Sequence, residues 1–324
     1  MRRTRLNRLN RLNRLNRLTR LNGLTLPAVA GLLLLTACGT EQGGAEASGT
    51  TPPPACGPGS NPSASAVIPT ASVAPDQDGV TIIGTGGGAD SGGSALPCAA
   101  YTLTSRETRP FTYVVTVGFR SESGRALSDV EDTVETVAPG HTVRRTVTAS
   151  DIPPDAAGGV QARIVKVRSF PAAEAPNEGG TCPPTGVRVY ADDGDAAMGL
   201  RVVGLHLENC GTRPYRLNGY PRIEIRDEDH DRVGSVSIVQ GGEAIAGGTG
   251  ADGPPQPLEL LPGERARAGL VWRNTVEGGV DGPVNAPYAR VWVKPGAAPV
   301  TVIPELDLGT TGKLGVGPWK KDEE

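Results

Sequence analysis

The chain has 324 residues, 37% of them hydrophobic but only 4% aromatic, with 45 glycines and 29 prolines. That is room for two modest domains, rich in turns, whose cores must be assembled from Val, Ile, Leu and Ala. The formal charge of -3 conceals an asymmetry: Arg2, Arg3, Arg5, Arg8, Arg11, Arg14, Arg17 and Arg20 precede Cys38 with no acidic residue among them, so the chain from Cys38 onward carries 24 basic and 35 acidic residues, a balance of -11 that argues against nucleic acid as a partner.

Residues 1–37 read as a lipoprotein signal peptide. Six Arg-Leu-Asn-like triplets fill residues 5–22, an overlong basic leader whose other reading is a membrane-surface or nucleic-acid-binding arm. The apolar run Leu24–Leu35 is of the length of an export-signal core, shorter than the ~20 residues needed to span hydrocarbon. It ends in Leu35-Thr36-Ala37-Cys38, the pattern of a bacterial lipobox. The thiol is chemically required there, because a diacylglyceryl thioether must form on sulfur before the bond preceding Cys38 is cut. Residues 38–75 then form the lipid anchor and a flexible linker rich in Gly, Ala, Ser, Thr and Pro. As a flexible chain this linker would span roughly 30 to 35 Å, enough to hold a domain clear of the headgroups.

The rest of the chain predicts an all-β protein with two tandem immunoglobulin-like β-sandwich domains. In the first, residues 76–170, alternating runs at 100–106, 111–120, 130–137, 141–149 and 160–170 predict strands, with 81–85 as a further candidate. The glycine-rich stretch 84–93 predicts a flexible loop; it has no Lys-Ser/Thr to make a phosphate cradle. In the second, residues 181–303, strands are expected at 187–191, 200–209, 221–227, 232–239, 265–274, 289–294 and 300–303. Residues 304–324 read as a Gly-rich tail containing Trp319. Both halves place a Pro-Gly pair, Pro139-Gly140 and Pro262-Gly263, before a strand of alternating arginines.

Four cysteines follow the anchor: Cys56, Cys98, Cys182 and Cys210. An even number in an exported chain implies disulfides. Three pairings are possible; Cys56 with Cys98 and Cys182 with Cys210 give the short separations, 42 and 28 residues, one in each half.

The segment LENCGTRPYRLNGYP at 207–221 adds a resemblance. A strand ending in Asn209, then Cys210, then the Gly219-Tyr220-Pro221 turn, and later Leu260 to Glu264 leading to Trp272, resembles domain-of-unknown-function family 4232 over about residues 181–303. Eight residues separate Cys210 from Gly219, where the family pattern has one or two. The resemblance implies an envelope or secreted location in high-GC Gram-positive bacteria and no known reaction.

Chemistry is sparse. There is no G-x-S-x-G elbow, and the three histidines, His141, His206 and His230, read as strand or turn residues. Asp227, Asp229 and Asp231 imitate the start of a calcium loop, but Arg232 stands where the loop needs Gly. Trp272 and Trp292 read as core. The expectation is therefore a non-enzymatic protein without cofactors, lipid-anchored through Cys38 at the extracellular face of the cell membrane, binding a wall polymer or an envelope protein through its sandwich loops. The alternative is an envelope enzyme or metal-binding accessory protein using the acidic loops at Asp192–Asp195 and Asp227–Asp231.

Overall fold

A computed structural model describes residues 76–89, 95–152, 160–276 and 282–322. The expected signal peptide and linker, with Cys38 and Cys56, lie outside the described residues.

The first sandwich has six strands: β1 (Val80–Ala89), β2 (Ala95–Thr104), β3 (Phe111–Arg120), β4 (Ala126–Val137), β5 (Thr142–Thr148) and β6 (Gln161–Pro171). They form two antiparallel sheets in the orders β1-β2-β5 and β4-β3-β6. The central strand β3 is β-branched and aromatic along its length. Its odd positions Phe111, Tyr113, Val115, Val117 and Phe119 meet Val80, Tyr101, Leu103 and Val147 of the facing sheet in one core. Tyr101 is fully buried in carbon, so its hydroxyl must find a partner; it donates to Asp132 at 2.6 Å, and Arg145 grips the same carboxylate at 2.9 and 2.7 Å. Because Asp132 sits on β4 while Tyr101 and Arg145 sit on β2 and β5, the group ties the two sheets together. Burial and the Asp132 charge push the Tyr101 hydroxyl well above the ordinary phenol range.

A 3-10 turn at Ala172–Glu174 leads into the second sandwich. Its strands are β7 (Val187–Ala191), β8 (Asp195–Ala197), β9 (Leu200–Asn209), β10 (Tyr215–Leu217), β11 (Arg222–Arg226), β12 (Ser237–Gln240), β13 (Leu258–Leu260), β14 (Arg265–Arg273), β15 (Val284–Ala286), β16 (Tyr288–Trp292), β17 (Val300–Val302), β18 (Leu306–Gly309), β19 (Lys313–Val316) and β20 (Lys320–Lys321). The main sheet runs β12-β19-β14-β9-β7, with β20 added to β14 and β8 to β9. A smaller sheet, β11-β16-β17, and the pairs β10-β13 and β15-β18 complete the layers. Strand β9 shows the period-two logic: Val203, Leu205 and Leu207 enter the core, while His206 and Glu208 face outward.

Both Pro-Gly turns close in the same way. The amide of His141 donates to Ala138 and that of Glu264 to Leu261, with Gly140 at φ 70° and Gly263 at φ 87°, the third position of a type II turn that glycine adopts freely.

The structure corrects the reading of the sequence in four places. The stretch from Gly84 to Ala89, expected as loop, continues β1, because Gly84 through Ala89 pair in register with Ala100 back to Ala95. The segment 304–324, expected as a tail, contributes β18, β19 and β20, and Trp319 is 2% exposed, so the second sandwich extends well past residue 303. The strand expected at 232–239 is confined to Ser237–Gln240. Trp292 is not core: its ring lies only partly buried between the guanidinium groups of Arg222 and Arg290, 4.1 and 4.9 Å from its centroid.

Candidate functional site

The residues that carry the family resemblance form a structural knot. Asn209, 1% exposed at the end of β9, donates through its amide nitrogen to the carbonyls of Leu260 and Arg213 and accepts from the Gly211 amide. Its own backbone N–H donates to Glu264 and its carbonyl accepts from Gly263, so one side chain and one peptide unit clamp the Leu-Leu-Pro-Gly-Glu turn onto β9. Beside it, Cys182 and Cys210 are joined in a disulfide with their Cα atoms 5.6 Å apart. Cys98 is disulfide-bonded too. Trp319 closes the knot from the far end, its backbone N–H donating to Gly219 of the Gly-Tyr-Pro turn and its indole N–H to Val293. A buried indole needs such an acceptor.

The second concentration of polar groups is the seam where the two sandwiches meet. Arg168 on β6 makes a bidentate pair with Glu305, both contacts at 2.9 Å, and lies 3.4 Å from Glu228. Lys166 reaches Glu305 at 3.0 Å. Burial pushes the Glu305 carboxyl up, but its hydrogen bonds to Arg168 and Lys166 outweigh that and hold it below the usual carboxylate range. Glu174 of the connecting turn, 8% exposed, is gripped by Arg290 at 2.7 and 2.6 Å and accepts from Thr301 at 3.0 Å.

His230 belongs to this seam. The sequence places it at a polar hairpin tip, and it does sit in a tight turn, at φ 63°. Yet its ring stacks on Tyr288 at 4.6 Å, meets the edge of Phe111 at 5.4 Å and bonds to the Ser169 hydroxyl at 3.1 Å. Burial depresses its pKa. The Asp227 carboxylate, the first of the supposed calcium ligands, accepts instead from the amides of Asp229 and Asp231 and shapes the turn that delivers His230.

The third concentration is the outward face of the main sheet. Strand register sets Tyr190 beside His206, His206 beside Arg267 and Arg267 beside Lys320, a polar row across β7, β9, β14 and β20. Tyr190 and His206 stack at 4.9 Å. His206 faces carboxylates through both ring nitrogens, Asp192 at 3.0 Å and Asp322 at 3.8 Å, so neither nitrogen is aimed at a nucleophile. Asp192 is itself engaged as an acceptor from the Gly194 and Gly204 amides.

At the other end of the row the face is partly covered by the loop after β12. Ala251 packs so closely that a Cβ at Gly269 or Gly317 would lie 3.0 or 2.8 Å from it, which is why the sheet is bare of side chains there. Next to this loop opens a cleft of about 620 Å³ lined by Pro254, Gln256, Leu258, Arg267, Trp319, Lys320, Lys321 and Asp322. Another opening, about 600 Å³, lies beside the seam and is lined by Asp129, Glu131, Glu228, Lys166 and Arg168 with uncharged neighbours. Sequence reasoning missed the basic cleft. Its cations lie on strands distant in sequence, and two of them come from the supposed tail.

The fold and its knot thus define a two-sandwich, all-β protein whose distinctive motifs are architectural. The family model described as Domain of unknown function (DUF4232) matches residues 182–320, the part of the chain that carries the sequence resemblance. The match reaches beyond residue 303 and takes in β18, β19 and the start of β20. No curated protein matches the chain.

Proposed function

We propose that the chain is a lipid-anchored protein of the cell envelope, held by Cys38 at the extracellular face, which binds an envelope component and catalyses no reaction. The observation that supports it best is how the candidate chemical groups are used. His230 is locked in the seam, His206 is flanked by two carboxylates, and Asp227 and Asp192 are engaged with backbone amides. What remains accessible is concave and charged, which suits binding.

The anchor is tested by detergent phase partition of the full chain expressed in a Gram-positive host. Wild type should enter the detergent phase and Cys38→Ala should stay in the aqueous phase; equal partition of both would remove the anchor. Binding is tested by cosedimentation of the soluble Cys38→Ala chain with purified envelope fragments, where no retention above a buffer control would remove the binding reading. Calorimetry with calcium addresses the rival: heat that disappears in Asp229→Ala with Asp231→Ala would establish a metal site in the turn.

A further inference from the structure

The basic cleft carries a ligand class, and the inference depends on the binding reading above. Arg267 and Lys320 come from adjacent strands β14 and β20, and their cationic heads converge on one backbone position. The Lys320 ammonium donates to the Gly250 carbonyl at 2.9 Å, and a Cβ on Gly250 would lie 3.1 Å from Nη2 of Arg267. Gly250, at φ 81°, has no side chain to block the approach.

Among the described residues no carboxylate pairs with either head, whereas neighbouring Lys321 is held by Glu264 at 2.6 Å and Arg265 is 4.0 Å from Glu208. The omission is conspicuous because residues 76–324 carry 24 basic and 33 acidic side chains. Asp322 also lines the cleft, so its lining carries three cations and one carboxylate, a local excess of positive charge that attracts an anion.

We infer that this cleft binds a phosphodiester group of a linear envelope polymer. Two cations reaching one point from different strands suit a tetrahedral phosphodiester, whose two unbridged oxygens diverge. Concavity selects a thin strand, since a flat bilayer cannot enter an indentation walled by Pro254, Gln256 and Leu258.

Calorimetric titration of the soluble Cys38→Ala chain with poly(glycerol phosphate) tests the assignment, with polygalacturonate, dextran and phosphatidylglycerol vesicles as comparators. Expected are saturable binding to the phosphodiester polymer that weakens as salt rises, at least tenfold weaker binding by Arg267→Gln/Lys320→Gln, and a change of less than twofold in Arg265→Gln. Matching far-ultraviolet spectra and melting temperatures would show that the double variant is folded. Equal or tighter binding to polygalacturonate or vesicles, no binding to the polymer, or an unaffected double variant would overturn it. Retention on envelope fragments that survives in the double variant would sink this inference while leaving the general binding reading intact; loss of retention by the wild type would sink both.

Discussion

The seam and the basic cleft are built from the same kinds of residue and treat charge in opposite ways. In the seam every cation that reaches inward meets a carboxylate: Arg168 and Lys166 meet Glu305, and Arg290 meets Glu174. In the cleft, among the described residues, the Lys320 ammonium donates to the Gly250 carbonyl, the Arg267 head lies against the same glycine, and neither is paired with a carboxylate. A buried charge left alone is costly, so pairing at the seam is a condition of the fold, while exposed cations without partners cost the fold little and remain available. Substitutions should therefore separate the two regions cleanly, stability responding at one and binding at the other.

The sharpest break comes at Glu174. Replacing it by Ala strands Arg290 and Thr301 in a mostly buried site and should destabilise the chain by about 3 to 5 kcal/mol in urea unfolding. Removing the indole in Trp319→Ala should cost a similar amount, about 3 to 5 kcal/mol, by leaving a cavity and the Val293 carbonyl unpaired. An unchanged midpoint would mean that the last strands are dispensable. Opening the Cys182–Cys210 loop of 28 residues by double replacement with Ala should lower stability by about 3 to 4 kcal/mol on the chain-entropy account.

A smaller effect is expected from pH. Burial lowers the His230 pKa from its ordinary value near 6.5. Above that value the ring is neutral folded or unfolded, so it contributes no pH dependence. As pH falls below it the unfolded chain takes up the proton first, and stability declines until the folded pKa is passed. The groups around the ring oppose one another, Glu107 and Asp227 favouring protonation and Arg226 and Arg109 disfavouring it. Thermal melts between pH 7 and 5 should show the decline in wild type and less of it in His230→Asn. Loss from Glu305 falls in a separate window below pH 4.5, because its carboxyl is depressed. Least of all, Arg267→Gln/Lys320→Gln should change unfolding by under about 0.5 kcal/mol.

Much of the fold was legible because its signals are local. Period-two alternation marked β3, β6, β9 and β14, and the Pro-Gly pairs marked two turns of the same type. Short elements escaped for the same reason: β8, β10, β13, β15 and β20 have two or three residues, too few to show a period. The tail was misread because Gly-rich composition resembles disorder, although Gly315 and Gly317 are required where the loop after β12 crosses the sheet at Gly241 and Ala251. Trp292 was assigned to the core on hydrophobicity alone, and nothing in its neighbourhood in sequence announces that Arg222 will lie over its ring. The sites were the least legible. His230 acquires its partners Phe111, Ser169 and Tyr288 from distant parts of the chain, and the cleft exists only once β20 returns to β14.

One paired measurement tests the contrast most directly: the urea midpoint and the retention on envelope fragments, determined together for Glu174→Ala and for Arg267→Gln/Lys320→Gln in the soluble Cys38→Ala chain. The account predicts a large fall in midpoint for the first variant, and for the second an unchanged midpoint with retention reduced at least tenfold. A cleft variant that unfolds early, or one that keeps both its stability and its retention, would contradict it.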